Sequence, residues 1–60
     1  MMNPETHKLK HDIYRHLISR GANYKIATLA AEALAKQQLE NYQPTPQEKR
    51  HIAQCQEEIK

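Results

Sequence analysis

His7 and His11 lie four residues apart, and so do His51 and Cys55. On a helix each pair would share a face, because residues three and four apart are neighbours there. Two imidazoles at that spacing can grip zinc, but a zinc site needs a third and usually a fourth protein ligand. Asp12, His51 or Cys55 would have to supply them from elsewhere on the chain. Cys-x-x-Cys and His-Glu-x-x-His, the spacings that mark zinc proteins, are absent. His7, His11 and His16 are therefore read as solvated or interface side chains, and no metal or other cofactor is expected.

His51 and Cys55 would form a base and nucleophile only with a lowered thiol pKa and a third group orienting the imidazole. Cys55 instead shares an apolar stripe with Ile52 and Ile59, where cysteine behaves as a small hydrophobe. A chain of 60 residues leaves little room for a substrate pocket of about 300 Å3 or more. The chain is read as a non-enzyme.

Charge is the remaining chemistry. The formal net charge is +2. Up to Lys25 the chain carries Lys8, Lys10, Arg15, Arg20 and Lys25 against Glu5 and Asp12, and the rest is close to neutral. The first helix thus bears the positive field, too mild to demand nucleic acid or to exclude it. With one cysteine there is no intrachain disulfide, which fits a reducing compartment. No apolar run approaches the roughly 20 residues that span a bilayer, and no secretory leader pattern opens the sequence. A cytoplasmic protein is expected, without membrane contact.

The elements that must position these groups are set by three breaks. Every proline and the single glycine fall at Asn3-Pro4, Arg20-Gly21-Ala22-Asn23 or Gln43-Pro44-Thr45-Pro46. Trp, Phe and Val are missing, which argues against strands. The spacing predicts an all-α, three-helix domain: a helical hairpin of residues 4–20 and 24–42, with a third helix over 46–59 packed across it.

Asn3 and Asn23 suit N-caps, with Pro4 allowed at the first helical position. Gly21 stands where a left-handed residue ends a helix. Thr45-Pro46-Gln47-Glu48 reads as a capping box. In the first helix Leu9, Ile13 and Leu17 recur every four residues, with Tyr14 and Ile18 as an offset pair. The third helix offers a narrow stripe of Ile52, Cys55 and Ile59.

The middle helix differs. Its leucines, its one isoleucine and its alanines occupy most of its circumference, leaving only Lys25, Glu32 and Lys36 as a polar wedge. A helix apolar nearly all round is normally buried on several sides. Ala27, Ala31 and Ala35 recur every four residues and permit close approach of another helix. Two outer helices with narrow stripes are not expected to cover this cylinder. Tyr24 and Tyr42 are read as lying on one side of it, 18 residues apart.

The leading functional reading is a small protein–protein interaction module or regulatory adaptor. It would present an apolar surface from helices 1 and 2 through Tyr14, Ile18, Leu29, Ala31, Ala35 and Leu39, rimmed by basic side chains. The partner would be a second copy or a larger protein, an acidic one matching the rim. The alternative is a dimeric, helix-turn-helix-like DNA-binding regulator. Its contacts would come from Lys8, Lys10, Arg15 and Arg20 in helix 1 and from Tyr24, Lys25 and Thr28 at the start of helix 2.

Overall fold

The three breaks are helix caps. The computed structural model describes residues 3–59, and among them lie α1 (Pro4–Ser19), α2 (Tyr24–Glu40) and α3 (Pro46–Glu58), with no strand. Asn3 Oδ1 accepts the Thr6 N–H at 2.7 Å. Asn23 Oδ1 accepts the N–H groups of Lys25 and Ile26 at 2.9 and 3.4 Å. Each satisfies donors that the first helical turn leaves without an intrahelical partner.

α1 ends in a Schellman motif. The Gly21 N–H bonds the Ile18 carbonyl and the Ala22 N–H bonds the Leu17 carbonyl, with Gly21 at φ +101°. The same motif packs Ala22 against Leu17 in the core. α2 stops two residues before its expected end. Asn41 takes a left-handed conformation at φ 54°, which asparagine tolerates, and the Asn41 and Tyr42 N–H groups both turn onto the Lys36 carbonyl. Residues 20 and 59 likewise serve as caps rather than helix, so α1 and α3 each end one residue inside the expected bound.

The capping box at α3 is complete. Thr45 Oγ1 accepts the Glu48 N–H at 3.2 Å, and Glu48 Oε1 accepts the Thr45 N–H at 2.8 Å. Tyr42 Oη also donates to Glu48 Oε1, at 2.6 Å. Thr45→Ala is expected to cost about 1 kcal/mol, read as a lower urea midpoint; an unmoved midpoint would show the cap to be idle.

The Thr45 N–H and then the Tyr42 hydroxyl hold the Glu48 carboxyl below its ordinary value. The same bond to Glu48 pushes the Tyr42 phenol up. A carboxyl lowered in the folded state contributes stability above its ordinary value of 4.5 and loses it as the pH falls below that. Stability measured against pH should therefore decline on this acid side, and Glu48→Gln should flatten the decline. An identical acid limb in the variant would remove Glu48 from the account.

α1 and α2 form an antiparallel hairpin. A contact at the open end and one midway along fix this: Thr6 Oγ1 donates to Glu40 Oε2 at 2.6 Å, and Lys10 Nζ lies 3.6 Å from Glu32 Oε2. α3 lies along α2 and hardly touches α1. Its end closes on the hairpin turn, where Glu58 Oε1 accepts the Asn23 N–H at 3.0 Å.

α2 is thus the central element, and its alanines explain how. Ala27, Ala30, Ala31, Ala33 and Ala35 are all fully buried. The Ala27–Ala31–Ala35 row and the Ala30–Ala33 pair lie roughly 130° apart around the helix. Thr28 adjoins the first row and shares a groove with α1 residues, so that row faces α1 and the second is left to α3. With no side chain beyond Cβ, both neighbours come close.

The buried core is small: Leu17, Ala22, Ala27, Ala30 and Cys55, with Ile13, Tyr14, Ile18, Ile26, Ile52 and Ile59 packed partly over it. The helices are nonetheless packed tightly. The radius of gyration is 10.6 Å, against about 10.4 Å expected for this length. What leaves the larger side chains half-covered is the flat shape, 29 × 23 × 15 Å, with its shortest dimension little more than one helix thick.

Candidate functional site

Along α1, His7, His11 and Tyr14 follow the spacing i, i+4, i+7 and so share a face. With Lys10 beside them and Thr28 opposite on α2, they line an open groove of about 230 Å3. By sequence alone these five residues fall into three separate schemes: a metal pair, a partner surface and a DNA contact. The hairpin register brings them together.

Thr28 does not offer its proton to the groove, because its Oγ1 donates to the Tyr24 carbonyl at 2.8 Å. Lys10 is held at the rim by Glu32, whose other oxygen lies 3.3 Å from Lys36 Nζ. Lys36 in turn sits 5.2 Å from the centre of the Tyr42 ring. The groove is walled by rings and methylene stems, carries two imidazoles and an ammonium, and among the described residues has no carboxylate in its lining. It is smaller than the roughly 300–1,000 Å3 of small-molecule sites.

Among the described residues no three His, Cys, Asp or Glu side chains converge as metal ligands. Cys55 does not join His7 and His11, because it is buried in the core. Burial, and then Glu58, push its thiol upward, the opposite of activation. His51 Nδ1 is buried without a hydrogen-bond partner, so it does not bond the thiol.

Ala31 and Ala35, expected on a partner surface, lie inside the chain's own core and offer no area to a partner. Tyr14 and Ile18 are half-buried against that core. Leu29 and Leu39 remain on the outside, each 44% exposed, as does Tyr24 at 60%. Tyr42 corrects the expected placement of the tyrosines: it lies beyond the end of α2, bonded to Glu48, and does not share a helix side with Tyr24.

The seven residues assigned to DNA contact are not gathered on one face. Lys8 and Arg15 lie on the side of α1 away from Lys10, which is itself engaged by Glu32. Arg20 is at the C-cap, and Tyr24 and Lys25 are exposed at the start of α2.

Sequence reasoning missed Thr6. It is fully buried and hydrogen-bonded to Glu40. Its position was readable, since Thr6, Ile13 and Leu17 continue one row at i, i+7, i+11. Compared with protein-family models, with curated proteins and with solved structures, the chain matches none. No helix of the described residues is long and apolar enough to cross a membrane.

Proposed function

We propose that this chain is a small protein–protein interaction module, a regulatory adaptor in kind, that acts through its α1/α2 side and associates with itself. One observation carries the reading. Of the ten leucines and isoleucines only Leu17 is buried. Seven are half-covered, Leu29 and Leu39 are exposed, and Leu9 and Leu34 stand outside the core cluster.

A domain of this size buries only about 60% of the surface its unfolded chain exposes, and is marginal alone. Here the fully buried part is mostly alanine, whose methyl contributes far less burial energy than a leucine side chain. Covering the half-exposed aliphatics against a partner adds the missing burial. The basic groove beside them supplies a polar rim, the usual frame of an apolar contact.

Association that stabilises the folded chain makes the melting temperature depend on concentration. Melting is expected to rise over a hundredfold increase in protein concentration. A melting temperature constant across that range would contradict the reading.

A further inference from the structure

The outer face of α2, flanked on one side by α1, carries Leu29 and Leu39, each 44% exposed. Between them lie Glu32 and Lys36, 3.3 Å apart. Leu29 and Leu39 stand five residues either side of position 34, and Glu32 and Lys36 stand two either side. The apolar pair and the charged pair therefore share one midpoint. At about 100° per residue, all four lie within roughly 40° of a single line along the helix. Leu34, at the same height, is half-buried and lies on the opposite side, in the notch between α1 and α3.

We propose that this face is an isologous dimer interface, in which the α2 helices of two copies pack antiparallel about a two-fold axis level with position 34. The inference rests on the self-association reading above and specifies its surface and register. A two-fold contact must be self-complementary. In this register Leu29 meets Leu39 of the second copy at each end of the contact, and Glu32 faces Lys36 of the second copy twice across its centre.

A parallel pairing of the same face sets Glu32 against Glu32 and Lys36 against Lys36. Like charges so placed disfavour it. Lys25, the third charge on this line, lies beyond the leucines, and in the antiparallel register the two copies of it are about 27 Å apart. Lys10 approaches Glu32 from α1 at 3.6 Å, so each glutamate in the dimer sits among lysines only.

Sedimentation equilibrium tests this with the wild type, Leu39→Lys, Glu32→Lys and the double swap Glu32→Lys/Lys36→Glu, with helical circular dichroism confirming that each stays folded. The wild type should dimerise. Leu39→Lys and Glu32→Lys should each weaken the dimer by about tenfold or more, the latter by opposing two lysines across the contact. The double swap should dimerise like the wild type yet refuse to mix with it, because mixed antiparallel pairs oppose Glu with Glu and Lys with Lys. A dimer that ignores Glu32→Lys, or in which double swap and wild type mix freely, overturns the register while self-association stands. A wild type monomeric at millimolar concentration overturns both.

Discussion

Leu17→Ala is expected to remove about 2–5 kcal/mol of folding stability, the range for emptying a buried leucine site. A chain of 60 residues has roughly 3–9 kcal/mol in all, so this single change takes a large share of it. The reason is the composition of the core. Among the described residues Leu17 is the one large aliphatic that is buried, and it packs with Ala22, Ala27, Ala30 and Cys55, small groups that cannot refill the space. Its carbonyl also accepts the Ala22 N–H that closes the hairpin turn. Urea unfolding followed by circular dichroism measures the loss. A change below about 1 kcal/mol would mean that the half-covered isoleucines, not this site, hold the fold.

Ala31→Leu is the second large effect. Ala31 is fully buried in the row that faces α1, and three extra carbons there push the two helices apart. Overpacking of this kind costs about 1–3 kcal/mol, at times more. Separation would also lengthen the Thr6–Glu40 and Lys10–Glu32 contacts, which are 2.6 and 3.6 Å apart. Leu29→Lys on the outer face serves as the comparison, since exposed substitutions usually stay within about 0.5 kcal/mol. Stability equal to wild type in Ala31→Leu would contradict the close approach of α1 and α2. A large monomer destabilisation in Leu29→Lys would contradict the assignment of Leu29 to a free face.

Where the helices begin was legible in the sequence, because capping is local chemistry. Asn3, Asn23 and the Thr45–Glu48 box bond donors two or three residues away, and no tertiary contact is needed to read them. Gly21 was legible for the same reason. The end of α2 was not: Asn41 stops it in a left-handed conformation, yet an asparagine amid helix-forming residues gives no clear stop signal. Tyr42 was misplaced with it.

The apolar character of α2 was correctly seen as demanding cover on several sides. Its consequence was misjudged for Ala31 and Ala35, since alanine can face a neighbouring helix or a partner equally well, and only the packing of α1 decides between them. Thr6 was overlooked because a polar type outweighed its place on the Ile13–Leu17 row. The groove was invisible for a different reason. Four of its residues are spaced on one helix, but Thr28 joins them only through the register that the Gly21 turn sets.

The central claim is that the outer face of α2, where one copy leaves Leu29 and Leu39 exposed, is covered by a second copy. Sedimentation equilibrium of the unaltered chain, from micromolar to millimolar concentration, tests it most directly. The mass of one copy is 7.0 kDa; the expected result is a rise with concentration towards twice that value, with helical content preserved. A constant 7.0 kDa across the whole range, in a chain that is stably folded throughout, would contradict it.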